Sequence, residues 1–185
     1  MKPLNIHSIG NIRKFATTTE TEEITLLSPA LSFFTDFTVT RPLVIESNIS
    51  AVDTERLMKK AHVRLKLVLD EKGELLGIVS ADDLLERKIV QKLDIGIDRK
   101  DLSITDFMTP REKLNVLDFN DVEKSNIGKV IHTLKNSGQQ HCLVVDSDKQ
   151  LIRGLFSVND ISRKLKIEID VQDQPSFSKL AIKLD

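Results

Sequence analysis

The chain has 185 residues, of which 40% are apolar and 30% charged, and its net charge at neutral pH is −1. This composition predicts one or two small globular domains, and it excludes a disordered chain and a strongly basic nucleic-acid-binding domain. No apolar run reaches the roughly 18 residues of a membrane span, so we expect no membrane partner. The absence of Trp and Tyr disfavours base stacking, and the single Cys142 excludes an intrachain disulfide. With no signal-peptide pattern at its start, the chain is expected to be cytoplasmic.

The first segment in chain order is an N-terminal extension over residues 1–35. Residues 1 to about 23 are polar and aperiodic, which is typical of a mobile arm. Residues 24–37 are more apolar, and Ser28-Pro29 predicts the start of a short helix, because proline suits a first helical turn. We expect this segment to pack on the first of two folded units.

The first predicted unit covers residues 36–90 and follows the order strand, helix, strand, turn, strand, helix. Its predicted strands cover residues 43–45, 65–69 and 75–79, with a turn at 70–73 between the last two. The first predicted helix is capped by Ser47 or Asn48 and has Val52, Leu57, Met58 and Ala61 facing inward. The second predicted helix extends from Ser80 to about Val90.

A charged linker over residues 91–104 leads to the second predicted unit, residues 105–166, which repeats this plan. Its predicted elements are a strand at 114–117, a helix over 127–136 with Val130, Ile131 and Leu134 facing inward and Gly138 as its cap, strands at 142–145 and 152–156, and a helix from Ser157. Residues 167–185 form a C-terminal extension. The alternation of Ile167, Ile169 and Val171 predicts a strand there, followed by a short helix over about 177–184.

One short pattern occurs twice and sets this organisation. Residues 77–84 and 154–161 both consist of glycine, two apolar residues, serine, two variable residues, aspartate and an apolar residue, 77 positions apart. The preceding strands also match, residues 67–70 with 143–146, and Thr35-Asp36-Phe37 matches Thr105-Asp106-Phe107. Two copies are too few for a solenoid, so the repeat predicts a paired domain.

The Ser-x-x-Asp part of this pattern has two interpretations. A serine at a strand-to-helix junction with an aspartate three residues later resembles a capping box, in which each side chain hydrogen-bonds to the other residue's backbone N–H. Alternatively, a helix start attracts anionic groups, and the aspartate offers two acceptor oxygens to the vicinal hydroxyls of a ribose. The pattern alone leaves both interpretations open for Ser80 with Asp83 and for Ser157 with Asp160.

The repeated pattern, the apolar strand before each copy, and Asp106-Phe107-Met108-Thr109-Pro110 ahead of the second copy together resemble a tandem pair of CBS domains (cystathionine-β-synthase-type modules), also called a Bateman module. The resemblance covers about residues 36 to 166. It implies an α+β fold of two β-α-β-β-α units packed with pseudo-two-fold symmetry, often as a homodimer, plus short N- and C-terminal extensions. It also implies an adenosine ligand, either AMP, ADP, ATP or S-adenosylmethionine, in clefts between the units.

The resemblance further implies a set of ligand-binding residues. Asp83 and Asp160 would hold the ribose, with Ser80 and Ser157 reaching the ribose or the phosphate. The implied contacts to adenine and phosphate are Val39, Thr40, Arg64, Lys66, Met108, Thr109, Pro110 and His141. The first unit has Thr38-Val39-Thr40-Arg41-Pro42 in place of Met-Thr-Pro, and Phe156 is expected to narrow the second cleft.

We therefore expect a regulatory module without catalytic or metal-binding residues, which signals to a separate effector protein. The competing hypothesis is a dimerisation scaffold whose Ser-x-x-Asp motifs are only helix caps. A metal-dependent enzyme is the least supported alternative. The segment Asp146-Ser147-Asp148 lacks the glycine and glutamate of a calcium loop, and His141 and Cys142 point to opposite faces of a strand.

Overall fold

The computed structural model describes residues 24–93 and 98–171, together with Ser8, Asn11 and Arg13. The strands are β1 (Thr35–Asp36), β2 (Val44–Glu46), β3 (Leu65–Leu69), β4 (Leu75–Ser80), β5 (Thr109–Pro110), β6 (Leu117–Asp118), β7 (His141–Asp146) and β8 (Leu151–Ser157). The α-helices are α1 (Ala51–Lys60), α2 (Glu86–Leu93), α3 (Phe119–Glu123), α4 (Ile127–Ser137) and α5 (Val158–Leu165). Most of the predicted mobile arm and the predicted helix at 177–184 lie outside the described residues.

The strands form two four-stranded sheets, with the orders β2-β3-β4-β5 and β1-β8-β7-β6. In each sheet the first strand of a unit runs parallel to the second, because a helical segment connects them, and the second pairs antiparallel with the third through a tight turn. This arrangement confirms the predicted α+β class and the two repeated β-α-β-β-α units.

Each sheet is completed by a short strand from the segment that leads into the other unit. β1 precedes the first unit but pairs antiparallel with β8, and β5 precedes the second unit but pairs with β4. Thr35 lies opposite Leu155 and Thr109 lies opposite Ile78, which are equivalent positions of the repeated pattern. Thr35 is therefore the structural counterpart of Thr109, and the sequence match of Thr35 with Thr105 is wrong.

The glycine of the repeated pattern is required by this exchange of strands. A Cβ atom at Gly154 would overlap the carbonyl oxygen of Thr35 and the ring of Phe34, and one at Gly77 would overlap the carbonyl oxygen of Thr109. The backbone of the incoming strand thus lies where a side chain would be, so only glycine allows this approach.

Each unit has its own apolar core. In the second unit, Val130, Ile131 and Leu134 are buried and Gly138 ends α4 with a φ of 65°, as predicted. The 3-10 helix Ala30–Phe33 also packs into this second core, so the expectation that residues 24–37 pack on the first unit is wrong. Backbone hydrogen bonds from Ala30 to Ser125 and from Ile127 to Ser28 hold this segment at the start of α4.

The first helix begins later than the sequence predicted. Its cap is Ser50, whose hydroxyl accepts from the N–H of Asp53, whereas Ser47 and Asn48 lie in the preceding turn. The buried face of α1 consists of Ala51, Thr54 and Met58, while Leu57 is 45% exposed. Of the predicted inner face, Met58 is buried as expected, whereas Leu57 and Ala61 are exposed and Val52 is partly buried, so this prediction is correct only in part.

Other predicted elements also differ from the structure. α2 begins at Glu86 rather than Ser80, because residues 81–84 form a turn. The predicted strand at 114–117 shortens to β6, α3 was not predicted, and residues 167–170 form no strand, although Ile169 and Val171 pack against the second core. Within the predicted linker, Leu102 and Ile104 are buried in the first core.

Asp36 connects β1 to β8 through an ion pair with Arg153. The Nε and Nη2 atoms of Arg153 donate to the two carboxylate oxygens at 3.1 and 2.8 Å, and the guanidinium lies 4.6 Å from the centre of the Phe119 ring. Hydrogen bonding from Arg153 is the largest cause that lowers the pKa of Asp36 from 3.8 to about 2, although burial opposes it.

We expect Asp36→Asn to lower the free energy of unfolding at pH 7 by about 1–2 kcal/mol. A carboxylate whose pKa is lowered on folding stabilises the fold fully above its unfolded value of 3.8, and this contribution is lost as the pH falls through about 2. In urea unfolding followed by circular dichroism, the wild type should therefore lose more stability than Asp36→Asn over this range. Glu112→Gln, which removes an exposed ion pair with Arg111, is the control. Equal acid sensitivity of the wild type and Asp36→Asn would contradict this role.

Candidate functional site

Two clefts lie between the units, and they share part of their lining. Leu65 of β3 and His141 of β7 line both clefts. They are equivalent positions, because Leu65 lies opposite Ser80 and His141 lies opposite Ser157 in their sheets. We name the clefts after their motif carboxylates, the Asp160 cleft and the Asp83 cleft.

The Asp160 cleft is the larger of the two, with a volume of about 700 Å³. This volume is in the range of small-molecule sites. The predicted residues that line it are Thr40, Arg64, His141, Ser157 and Asp160. It also contains Thr35, Arg41, His62, Asn159 and Arg163, which the sequence did not single out. Arg41, Asn159 and Arg163 are close in sequence to the predicted Thr40 and Asp160, whereas no local signal indicates that Thr35 and His62 reach the cleft.

Asp160 lies in the first turn of α5, and its carboxylate is partly open to the cleft. Ser157 precedes α5 but makes no side-chain cap hydrogen bond, so the capping interpretation fails in the second unit. Arg163 pairs with Oδ1 of Asp160, and among the described residues nothing donates to Oδ2. The Asp160 side chain is 40% exposed. Asp160 therefore lines the cleft with one acceptor oxygen that has no donor among the described residues, at a helix start, where the unpaired N–H groups favour anions.

The basic residues of the Asp160 cleft outnumber its acidic ones. Its lining contains the arginines Arg41, Arg64 and Arg163 and a single carboxylate, Asp160. Arg64 reaches Asp82 at 3.2 Å, but both side chains remain well exposed. A cleft with this charge balance attracts an anionic ligand.

The Asp83 cleft has a volume of about 400 Å³ and a balanced lining. The predicted residues in it are Ser80, Asp83, Thr109 and His141, and its charged residues are Asp82, Asp83, Lys88 and Lys113. Two lysines therefore face two aspartates, and the lining has no excess of positive charge.

Asp83 is held by its own unit. Its Oδ2 accepts from the backbone N–H of Ser80 at 2.9 Å and from the Ser80 hydroxyl at 2.6 Å. Its Oδ1 accepts from Nζ of Lys88 at 2.9 Å. The Ser80 hydroxyl also accepts from the Asp83 N–H at 3.2 Å, so the exchange of a capping box is present, although it closes a turn rather than starting a helix.

His141 lies among charges from both clefts. Burial is the largest cause of its pKa lying below 6.5, and it outweighs the nearby carboxylates of Asp160, Asp82 and Asp83, which act in the opposite direction. The imidazole is therefore neutral at pH 7. It offers a hydrogen bond to the clefts but adds no charge to either.

The remaining predicted residues do not line either cleft. Val39 is 85% exposed, and Lys66 donates to the carbonyl oxygen of Val44 at 3.2 Å. Met108 packs against the first core, and Pro110 pairs with Gly77 in β5. Phe156 is fully buried in the second core, so the expectation that it narrows a cleft is wrong.

Other chemistry in the described part of the chain is limited. Burial raises the pKa of the Cys142 thiol to about 11, so the thiol stays protonated at neutral pH. Among residues 24–93 and 98–171, no cluster of three or more His, Cys, Asp or Glu residues has the geometry of a metal site. No helix within these same ranges has the length and apolar content to cross a bilayer.

The profile of the CBS domain family matches residues 35–89 and 122–167. Among solved structures, an uncharacterized conserved protein from Pyrococcus horikoshii is similar over 80% of this chain and 98% of its own, at 19% identity and a TM-score of 0.58. CBSX2 in complex with AMP is similar over 74% of this chain and 95% of its own, at 24% identity and a TM-score of 0.53. The CBS domain pair of protein MJ0100, in complex with 5-methylthioadenosine and S-adenosyl-L-methionine, matches over 76% and 98%, at 21% identity and a TM-score of 0.51. Comparison with curated proteins gives no significant match.

Proposed function

The chain belongs to the CBS domain family, and on this premise we propose that it is a regulatory module that binds an adenosine ligand in the Asp160 cleft. The observation that carries the proposal is the open Oδ2 of Asp160 at the start of α5, in a cleft of about 700 Å³. A carboxylate in this position accepts hydrogen bonds from the two ribose hydroxyls, and the solved CBS pairs with AMP or S-adenosyl-L-methionine make such a ligand chemically reasonable.

The charge of the cleft favours a ligand that carries phosphate. Arg41, Arg64 and Arg163 can donate paired hydrogen bonds to phosphate oxygens, which is the geometry that a guanidinium suits best. S-adenosylmethionine carries a sulfonium cation, which the same arginines would repel. We therefore place AMP, ADP or ATP ahead of S-adenosylmethionine.

Binding would act by linkage between the two units. Residues of both units line the Asp160 cleft. Thr40, Arg41 and Arg64 belong to the first unit or its leading segment, and Asp160 belongs to the second. A ligand in this cleft therefore contacts both units. A ligand that binds best to one relative arrangement of the units shifts the population toward it, with a coupling of about 1–3 kcal/mol. The output would reach a separate effector protein, with a cytoplasmic homodimer as the working form and no catalysis by the chain itself.

The competing scaffold hypothesis is supported in one place. Ser80 and Asp83 exchange hydrogen bonds across the turn between β4 and α2, as residues with a purely structural role would. In the second unit Ser157 and Asp160 make no such exchange, so the scaffold hypothesis explains only one copy of the motif.

A thermal-shift panel of AMP, ADP, ATP and S-adenosylmethionine tests this proposal. A ligand at 100 times its dissociation constant adds about 2.7 kcal/mol of apparent stability, which corresponds to a rise in Tm of roughly 5–10 °C for a chain of this size. We expect the three nucleotides to raise the Tm more than S-adenosylmethionine does, and inosine monophosphate is the control for recognition of the base. If all four adenosine compounds leave the Tm unchanged at millimolar concentration, the scaffold hypothesis is favoured instead.

A further inference from the structure

The two clefts carry the same motif but differ in what their carboxylates contact. In the Asp83 cleft, Lys88 and Ser80 together direct three donors at Asp83. In the Asp160 cleft, a single guanidinium pairs with Asp160, and the Ser157 side chain makes no capping hydrogen bond. From this difference we infer that Lys88 closes the Asp83 cleft to a ribose, so that each chain binds one adenosine ligand and not two. The inference rests on the proposed function, because it concerns the same class of ligand.

Asp83 has too few open acceptor sites for a ribose diol. An ionised carboxylate has about four lone-pair sites, and a ribose diol needs two of them. Three sites on Asp83 are filled, two by Ser80 at 2.9 and 2.6 Å and one by Lys88 at 2.9 Å. Both hydroxyls of a ribose can therefore bind Asp83 only if Lys88 or the Ser80 hydroxyl is displaced.

The contact between Lys88 and Asp83 is also a strong one for a ribose to break. The bond from Lys88 to Asp83 joins two opposite charges, and such hydrogen bonds are about twice as strong as neutral ones. The side chains of Asp83 and Lys88 are 25% and 41% exposed, so water compensates only in part for the loss of this contact. By contrast, Arg163 is 79% exposed and Asp160 is 40% exposed. Solvent therefore weakens their ion pair, and a ligand displaces Arg163 more easily than it displaces Lys88.

The two motif carboxylates also differ in their position relative to a helix. Asp160 is in the first turn of α5, whereas Asp83 lies in the turn over residues 81–84, ahead of the start of α2 at Glu86. The Asp83 cleft therefore has no helix start beside its carboxylate to attract a phosphate. Its lysines also face two aspartates, so its lining offers no excess of positive charge.

Isothermal titration with AMP tests the inference. We expect one AMP per wild-type chain, and two per chain in Lys88→Met, whose side chain keeps the length but cannot donate to Asp83. The affinity of the Asp83 cleft for AMP should be at least tenfold higher in Lys88→Met than in the wild type. Lys88→Gln serves as a second variant, and circular dichroism verifies that each variant is folded.

The matched control is Arg87→Met, which removes a neighbouring exposed cation from the same helix. It should still bind one AMP per chain. A double variant, Asp160→Ala with Lys88→Met, isolates the Asp83 cleft and should bind one AMP, whereas Asp160→Ala alone should bind none.

The outcomes separate the two proposals. Two AMP molecules per wild-type chain, or one per chain in both Lys88 variants, would overturn the role of Lys88 and leave the proposed function standing. Absence of AMP binding in the wild type and in both Lys88 variants would overturn the proposed function and, with it, this inference.

Discussion

Gly154→Ala is expected to lower the free energy of unfolding by about 3 kcal/mol or more, which corresponds to a fall in Tm of roughly 6–12 °C. The added methyl group would overlap the carbonyl oxygen of Thr35 and the ring of Phe34, and a backbone oxygen in a paired strand cannot move aside as a flexible side chain could. The strand β1 would have to leave β8, with loss of its hydrogen bonds and of the ion pair between Asp36 and Arg153. Urea unfolding followed by circular dichroism measures the loss.

The control for this substitution is Gly138→Ala. Gly138 has a φ of 65° at the end of α4, with no atom within 4 Å of the added Cβ. Gly138→Ala should therefore lower the free energy of unfolding only through the backbone conformation, by about 1 kcal/mol. If Gly154→Ala proves no more destabilising than Gly138→Ala, the close approach of β1 is not what requires glycine in the repeated pattern.

Asp160→Ala and Asp83→Ala are expected to have opposite effects, although the two residues occupy the same position of the pattern. Asp160→Ala should weaken AMP binding at least about 100-fold, because a carboxylate that accepts from two ribose hydroxyls contributes two charge-assisted hydrogen bonds. It should hardly change stability, since its partner Arg163 is 79% exposed.

Asp83→Ala should leave AMP binding unchanged and lower the free energy of unfolding by about 1–2 kcal/mol. It removes the acceptor for the Ser80 N–H, the Ser80 hydroxyl and Lys88, which together close the turn before α2. Titration calorimetry measures the first property and urea unfolding the second. If the two variants lose AMP binding equally, the asymmetry between the clefts is contradicted.

Much of the fold was predictable because it follows from local patterns. The repeated glycine-to-aspartate pattern, the turn at Gly73 and the cap at Gly138 are local features, and all appear in the structure where the sequence indicates. The start of α1 was predicted wrongly because Ser47, Asn48 and Ser50 are all suitable caps, and only the turn that follows β2 selects among them.

The site was predictable only in part, because it depends on contacts between distant segments. The motif residues Ser157 and Asp160 do line a cleft, and so do Thr40, Arg64 and His141. The sequence could not indicate that Lys88 contacts Asp83, because the two residues are five positions apart, with Asp83 in the turn over residues 81–84 and Lys88 in α2. It also could not indicate that Thr35 is the structural counterpart of Thr109, since the exchange of strands has no local signature.

The exchange of β1 and β5 has a consequence for how such a chain can change over evolution. Either half, taken alone, would lack one strand of its sheet and would expose the edge of β8 or β4, and an open sheet edge invites aggregation. A rearrangement that separated the halves would therefore leave each of them with an open sheet edge, whereas a change at Lys88 would alter one cleft and leave both sheets complete.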